Sequence, residues 1–251
     1  MYMYNDLANK IVLVTGASGD IGLAICRQFL QQQCQVYALY KSHRDGLTQL
    51  KSSHPQGEQL HIIPCDLTDG TAIEQLCIYL AKTAGNVDIL VNNAGMVRDS
   101  LFATMRFEEF SSVIETNLLA LFRLTKRALM LLRGSEAPVI INVTSIAALV
   151  ASPGQINYSA SKSAILGFTR TLAAEMAPAG VRVNAVAPGM IESGMVKKVP
   201  RTVVRAMINS IPLKRLGQCT EIANAIVYLS SSASSYIVGQ TLVIDGGLVM
   251  R

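Results

Sequence analysis

Short apolar runs alternate along the chain with longer stretches in which apolar residues recur at helical spacing. The first run, Ile11 to Val14, is apolar at every position, which is typical of a parallel strand buried on both faces. Similar runs predict seven strands, at 10–15, 35–40, 60–65, 87–91, 138–144, 181–186 and 241–244.

Helical stretches separate these strands. The spacing predicts helices over 21–33, 107–119, 119–132 and 157–177, the last ended by Pro178 and Gly180. Asp66 to Asp69, after the third strand, is a helix-start signal, and Ser230 to Ser235 is interpreted as a helix end and loop. Strands that alternate with helices require crossover connections, so the expected fold class is α/β with a doubly wound, mostly parallel sheet and helices on both faces. No linker or repeat divides the chain, and residues 1–251 are expected to form one domain.

Composition removes several classes of protein. Half of the residues are apolar and 16% are charged, which argues against intrinsic disorder. No apolar run approaches the ~18 residues that span a bilayer, and residues 1–10 lack the apolar segment of a signal peptide, so we expect a cytoplasmic protein. The net charge of +5 is too small to indicate a nucleic-acid partner. The cysteines form no CxxC pair and the histidines lack ligand spacing, so we expect no metal site.

A glycine-rich turn follows the first strand and precedes the first helix. Its residues are Thr15, Gly16, Ala17, Ser18, Gly19, Asp20, Ile21 and Gly22. Glycines let a backbone approach a pyrophosphate closely, and a helix N-terminus supplies N–H donors and a positive dipole. This context favours nucleotide binding over a purely structural turn.

The turn resembles the TGxxxGxG signature of the classical short-chain dehydrogenase/reductase family. The family's middle glycine falls on Asp20, and Gly19 stands where NADPH-using relatives often carry Arg or Lys. An aspartate beside a pyrophosphate is repulsive unless its side chain points away or caps the helix. The resemblance covers roughly residues 10–250 and implies a single Rossmann domain with a seven-stranded sheet that binds a nicotinamide dinucleotide.

The end of the second strand indicates which dinucleotide is used. An NAD enzyme places a carboxylate there for the ribose hydroxyls, whereas the 2′-phosphate of NADP requires cations. Tyr40 stands where the acid is expected, Lys41 and Ser42 follow as in NADP-type relatives, and Arg44 is near. NADPH/NADP+ is therefore favoured, although Gly19 leaves NAD open.

The resemblance places further cofactor contacts at three groups of positions. They are Asp66 and Leu67 at the adenine; Asn93, Ala94 and Gly95 of an NNAG motif; and Pro188, Gly189, Ile191 and Ser193 beside the nicotinamide.

A tyrosine and a lysine are spaced for catalysis. Tyr158 and Lys162 are four residues apart, so on a helix they share one face. A nearby ammonium favours tyrosinate and lowers the pKa of the phenol from about 10. Alone, such a pair carries little information. Ser145 lies thirteen residues before Tyr158, the separation that the family shows, and can donate a hydrogen bond to a substrate carbonyl. A strand-end cap is the other interpretation of this serine.

Asn117 matches the family's fourth catalytic residue. The resemblance implies that it holds a water in a proton relay through Lys162, and that Lys162 also anchors the nicotinamide ribose. A helix-interior asparagine bonded to the backbone is the alternative.

The expected reaction is the NADPH-dependent reduction of a ketone to a secondary alcohol, with Tyr158 as proton donor and Ser145 polarising the carbonyl. Within the family the chain is most similar to the β-ketoacyl-acyl-carrier-protein reductases, in the stretch from Asn92 to Leu101, at Arg215 to Gly217 and from Ile244 onward. A sugar, steroid or small diketone substrate stays open. A non-catalytic NADP(H)-binding subunit or sensor is the alternative from another class.

Basic residues suggest an acidic acyl carrier protein as partner. They lie in an expected substrate lid at 190–214 and on the long helices: Lys197, Lys198, Arg201, Arg205 and Lys214, then Lys126, Arg127 and Arg133. A solvated face explains them equally well, and Ala174 stands where those reductases often carry a basic residue. The resemblance also implies a homotetramer, with apolar residues 118–122 and 247–250 available for its interfaces.

Overall fold

The computed structural model describes residues 3–194 and 201–250, without the side chains of residues 201 and 203. Seven strands form one sheet within these ranges, and every pairing is parallel, so the expected mostly parallel sheet is entirely so here. The strands are β1 (Ile11–Val14), β2 (Gln35–Tyr40), β3 (Leu60–Pro64), β4 (Ile89–Asn92), β5 (Val139–Val143), β6 (Arg182–Pro188) and β7 (Thr241–Ile244). Their order is β3-β2-β1-β4-β5-β6-β7.

Helices form the crossover connections between the parallel strands. They are α1 (Asp20–Gln31), α2 (Asp45–Ser53), α3 (Gly70–Thr83), α4 (Phe107–Ile114), α5 (Ala120–Leu132), α6 (Ile156–Met176), α7 (Arg201–Ser210) and α8 (Cys219–Ser230). The start signal before α3 is confirmed, because the Asp69 carboxylate accepts the Thr71 N–H at 2.8 Å. None of the described helices is long and apolar enough to cross a membrane.

The sheet carries helices on both faces, as the fold class required. Val12 and Val14 pack into one core with residues of α1 and α8, such as Phe29 and Ile226. Leu13, on the opposite face of β1, packs into a second core with residues of α3, α5 and α6. This alternation follows from the two-residue period of a strand.

Two elements differ from the sequence-based expectation. Helix α2 was not predicted, because only Leu47 and Leu50 are buried in it and its apolar signal is short. The long helical stretch 107–132 is not continuous: a π-helical turn, Glu115–Leu119, separates α4 from α5. Such turns are rare and frequently occur at functional sites.

The strand order places a crevice at a defined edge. After β1 the chain moves to β2 and β3 on one side, and then to β4 and β5 on the other. At such a switch point the flanking connections leave in opposite directions and open a crevice at the carboxyl ends of the strands. The glycine turn, the NNAG motif and Ser145 all follow strands at this edge.

Candidate active site

The glycine turn after β1 is folded tightly against the NNAG motif after β4. Gly16 has a φ of +59°, and a Cβ at this position would lie 2.7 Å from the Ala94 Cα. A Cβ at Gly22 would lie 2.2 Å from the carbonyl oxygen of Gly16. Both positions therefore require glycine. Gly19 differs, because the nearest atom to its Cβ position is 3.6 Å away.

Thr15 and Asn93 hold the two loops together. The Thr15 hydroxyl accepts the backbone N–H groups of Asn93 and Ala94, each at 2.9 Å. The Asn93 side-chain amide donates to the carbonyl oxygens of Thr15 and Gly16, both at 3.0 Å. Asn93 was expected to lie beside a cofactor and Thr15 was not singled out. The signal that identifies Thr15 is its position, because it carries a hydroxyl between the end of a buried strand and a turn.

The N-terminus of α1 retains free donors. Gly19 is the N-cap residue, and no side chain of the described chain caps this end. The carboxylate of Asp20 accepts a hydrogen bond from the N–H of Gly194, at 2.7 Å. Asp20, whose charge would repel a pyrophosphate, thus has a hydrogen-bond partner outside its own helix. Ser18 and Ile21 are half-buried beside it.

The residues expected at the adenosine end are brought together. The Lys41 ammonium lies 2.8 Å from the Asp66 carboxylate. This pairing, with hydrogen bonds from Thr68, lowers the pKa of Asp66 to about 2. Tyr40 and Leu67 are half-buried, and Ser42 and Arg44 are exposed. Lys41, the cation expected to bind a 2′-phosphate, is therefore already paired with the Asp66 carboxylate.

The predicted catalytic residues lie at the carboxyl end of β5. Tyr158 and Lys162 are in the first turns of α6, and the Ser145 side chain lies close enough to the Tyr158 phenol to lower its pKa. The Lys162 ammonium donates to the Val143 carbonyl at 2.8 Å and lies 5.7 Å from the centre of the Tyr158 ring. The Ser145 hydroxyl also accepts the Ala147 N–H at 3.2 Å. Ser145 thus acts as a strand-end cap and also lies beside the tyrosine.

The protonation of this pair is set mainly by burial. Burial lowers the pKa of Lys162 to about 8, because its ammonium loses hydration. Burial also raises the pKa of Tyr158; the hydrogen bond to Ser145 lowers it and the negative charge of Asp99 raises it further. This direction is opposite to that expected from the neighbouring ammonium, because desolvation of the phenolate is the largest effect on its pKa.

Asn117 lies in the π-helical turn and is fully buried. Its side chain accepts the Met96 N–H at 2.8 Å and donates to the Met96 carbonyl and the Ser161 hydroxyl, both at 3.0 Å. The side chain therefore joins the loop after β4 to α6. This geometry agrees with the alternative of a backbone-bonded asparagine, and a water relay stays a prediction.

Two further positioning residues were missed by the sequence analysis. The amide of Asn157 donates to the carbonyl oxygens of Arg98 and Glu109 at 2.8 and 3.3 Å, and its oxygen accepts the Tyr158 N–H at 2.7 Å. The Thr144 hydroxyl donates to the Lys162 carbonyl at 2.8 Å. Both are adjacent in sequence to a predicted catalytic residue, which is the only signal that the sequence offers.

The segment after β6 closes the same edge of the sheet. A Cβ at Gly189 would lie 2.5 Å from the Asp245 Cβ, so glycine lets Pro188 and its neighbour pack against the end of β7. Ile191 is buried and pairs with Gly217 in an isolated bridge, and Ser193 is half-buried. Of the expected lid, Lys197, Lys198 and the side chain of Arg201 lie outside the described residues, whereas Arg205 and Lys214 are exposed.

Comparisons with known proteins agree with this architecture. The family model described as enoyl-(acyl carrier protein) reductase matches residues 16–249. A 3-oxoacyl-[acyl-carrier-protein] reductase from Thermotoga maritima is 37% identical over 246 residues, covering 97% of this chain and 99% of that protein. A nodulation protein G from Rhizobium sp. (strain N33) is 38% identical over 245 residues, covering 98% and 99%.

A solved structure is also similar. It is described as a short-chain dehydrogenase/reductase, glucose/ribitol dehydrogenase, from Brucella melitensis, with a TM-score of 0.93 and 33% identity over 99% of this chain and 100% of that one. The chain belongs to the short-chain dehydrogenase/reductase family.

This short-chain dehydrogenase/reductase is an oxidoreductase, and its family works with a nicotinamide dinucleotide. The alternative of a non-catalytic binding subunit is therefore not retained. The residues present fit such a cofactor, because the tight turn that Gly16 and Gly22 permit leads into the N-terminus of α1, which lacks a side-chain cap. At the other end, a Cβ at Gly95 would lie only 3.3 Å from the Lys162 ammonium, so glycine leaves space beside the lysine.

Proposed function

We propose that this enzyme reduces a 3-oxoacyl thioester to the 3-hydroxyacyl thioester, with NADPH/NADP+ as its cofactor. The observation that carries the reductase chemistry is the grouping of Ser145, Tyr158 and the buried Lys162, whose ammonium lies 5.7 Å from the centre of the Tyr158 ring. The 3-oxoacyl-[acyl-carrier-protein] reductases similar over nearly the whole chain support the substrate class.

The catalytic residues act on the carbonyl oxygen in this proposal. When bound, the reduced nicotinamide supplies the hydride that reaches the keto carbon. Ser145 and Tyr158 donate hydrogen bonds to the oxygen as negative charge develops there. Tyr158 then transfers its phenolic proton to that oxygen, giving the alcohol. The raised pKa of Tyr158 keeps the phenol protonated at neutral pH, and the Lys162 ammonium stabilises the tyrosinate that remains.

The preference for NADPH rests on the end of β2. Tyr40 leaves no carboxylate there for ribose hydroxyls, and Lys41, Ser42 and Arg44 are exposed to receive a 2′-phosphate. Binding of that phosphate requires Lys41 to share its charge between the phosphate and Asp66. We therefore expect a preference for NADPH that is moderate in size.

An acyl carrier protein is the partner that this proposal favours for the thioester. Lys126, Arg127 and Arg133 are exposed on or just after α5, although Arg127 lies 4.0 Å from Glu74. Exposed basic groups of this kind attract an acidic protein. A homotetramer, a single domain spanning the chain and a cytoplasmic location complete the proposal.

A sugar or polyol is the second candidate substrate, because the similar Brucella melitensis structure is described as a glucose/ribitol dehydrogenase. Steroids and small diketones stay possible ketones for the same catalytic group.

The test compares wild-type enzyme with Tyr158→Phe in the reduction of acetoacetyl thioester, with NADPH and NADH in parallel. Because general acid catalysis contributes about 10²- to 10⁴-fold, Tyr158→Phe should reduce kcat by that factor. The matched control is Tyr236→Phe, since Tyr236 is fully exposed. We expect kcat/KM to be higher with NADPH than with NADH.

Other results would redirect the proposal. Turnover of ribitol or glucose with NAD+, without thioester reduction, would favour the sugar candidate. Reduction of an enoyl thioester in its place would move the reaction from the carbonyl to the carbon–carbon double bond. Equal use of NADH would contradict the role given to Lys41.

A further inference from the structure

The chain segment that follows β6 is tethered on one side by the loop before α8. The Glu192 N–H donates to the Gly217 carbonyl at 2.8 Å, and the Gly217 N–H donates to the Met190 carbonyl at 2.9 Å. The Cys219 thiol contacts the Glu192 carbonyl at 3.5 Å. These contacts fix Met190 to Glu192 and leave the following two residues to be held by something else.

Asp20 provides the contact at the far end of this segment. Its carboxylate accepts the Gly194 N–H at 2.7 Å, across 174 positions of sequence. A Cβ built at Gly194 would meet only this carboxylate oxygen within 4 Å, at 3.5 Å, among the described residues. The hydrogen bond therefore joins the first turn of α1 directly to the segment that carries Ile191 and Ser193.

The glycine that the family's signature has at position 20 cannot make this contact, because it has no side chain. Asp20 is exposed and does not cap its own helix. Its negative charge disfavours an anion at the N-terminus of α1. The charge of the Asp20 carboxylate therefore weakens the binding of a dinucleotide. The hydrogen bond from Gly194 to this carboxylate acts on binding in the opposite direction.

We propose that Asp20 is a positioning residue that holds Ile191–Gly194 in place before the cofactor binds. This inference rests on the proposed use of a nicotinamide dinucleotide at this site. A segment that is already ordered loses less conformational entropy when a ligand binds, so the hydrogen bond strengthens cofactor binding by preorganisation. The negative charge of Asp20 and its hydrogen bond to Gly194 therefore have separate effects on cofactor binding, and two substitutions distinguish these effects.

The first measurement is amide hydrogen exchange of Gly194 in the cofactor-free protein. Asp20→Ala removes the acceptor, and exchange at Gly194 should accelerate about three- to tenfold, the range that corresponds to one net hydrogen bond. Asp20→Asn keeps a carbonyl acceptor and should change the rate less than Asp20→Ala does. Asp45→Ala is the matched control, because Asp45 is also an exposed acid at the first position of a helix. It should leave exchange at Gly194 unchanged.

The second measurement is the dissociation constant of NADPH, by fluorescence titration at fixed salt. Asp20→Ala and Asp20→Asn both remove the negative charge, so their difference isolates the hydrogen bond to Gly194. We expect Asp20→Ala to bind NADPH about three- to tenfold more weakly than Asp20→Asn.

The outcomes separate this inference from the proposed function. Unchanged exchange at Gly194 in Asp20→Ala, or equal NADPH affinities of the two variants, would overturn the positioning role. The exchange result needs neither cofactor nor substrate. If the enzyme reduces no thioester and yet Gly194 exchanges faster in Asp20→Ala alone, the substrate proposal fails while the positioning role stands.

Discussion

The ammonium of Lys162 is a buried charge at the centre of the proposed site. It is 3% exposed and its one hydrogen bond in the described structure is to the Val143 carbonyl. A buried charge with so few partners opposes folding, and such a residue is retained where the chemistry needs it. Lys162 meets this description, since it lies beside Tyr158.

Lys162→Met should therefore stabilise the fold while it abolishes reduction. Burial lowers the pKa of Lys162 from 10.5 to about 8, so the penalty is complete below pH 8 and disappears as pH rises toward 10.5. After allowing for the unpaired Val143 carbonyl, the free energy of unfolding at pH 7 should rise by about 1–3 kcal/mol.

Urea unfolding at pH 7 and pH 10 measures this effect, with Lys82→Met, an exposed lysine of α3, as control. The gain should be smaller at pH 10. A Lys162→Met protein that is less stable than wild type at pH 7 would contradict the account of burial.

At the scale of elements, the turn between β1 and α1 is specified by close backbone approaches and not by its glycine count. A Cβ at Gly16 or Gly22 would clash with atoms of the neighbouring backbone, whereas a Cβ at Gly19 would make only an ordinary contact. The spacing of Gly16 and Gly22 in the signature thus reflects positions at which a side chain would clash with neighbouring backbone. The π-helical turn before α5 also has a role that depends on its contacts, because it places Asn117 where its side chain reaches Met96 and Ser161.

Gly22→Ala and Gly19→Ala form a matched pair that tests this distinction. A methyl group at Gly22 overlaps the Gly16 carbonyl, so the backbone must shift, and we expect a loss of about 1–3 kcal/mol in unfolding free energy with weaker cofactor binding. Gly19→Ala should change stability by less than about 0.5 kcal/mol. Thermal and urea unfolding of both variants provide the measurement, and equal losses would refute the difference in crowding.

At the scale of the whole molecule, exposed apolar side chains lie among basic ones along α5 and the π-helical turn before it. Leu119, Phe122 and Met130 are 38%, 47% and 74% exposed, and Phe122 packs edge-on against Phe168 at 6.5 Å. Apolar side chains exposed together on a helix pair are typical of an interface. This face supports the proposed homotetramer.

Phe122→Glu should dissociate the assembly, because a charge would be buried at the contact. Sedimentation velocity should show a tetramer for the wild type and smaller species for this variant. Met3→Glu is the control, since Met3 is 52% exposed and lies before β1, outside α5 and α6. An unchanged sedimentation coefficient for Phe122→Glu would place the interface elsewhere.

The sequence alone determined the fold class, the positions of the strands and the spacing of the proposed catalytic pair. These features depend on local periodicity: continuous apolar runs become buried parallel strands, and residues four apart share a helical face. The family signatures at Gly16, Asn93, Tyr158 and Lys162 are likewise contiguous motifs, so they could be recognised without a structure.

Only the tertiary structure decided what depends on distant contacts. Asp20 meets Gly194, Lys41 meets Asp66, and Asn117 reaches Met96, each across a separation that no local pattern records. The pKa of Tyr158 belongs to the same class, because its direction is set by how deeply α6 buries the phenol against the end of β5. Packing of remote segments controls both desolvation and hydrogen-bond partners, and it exists only once the chain has folded.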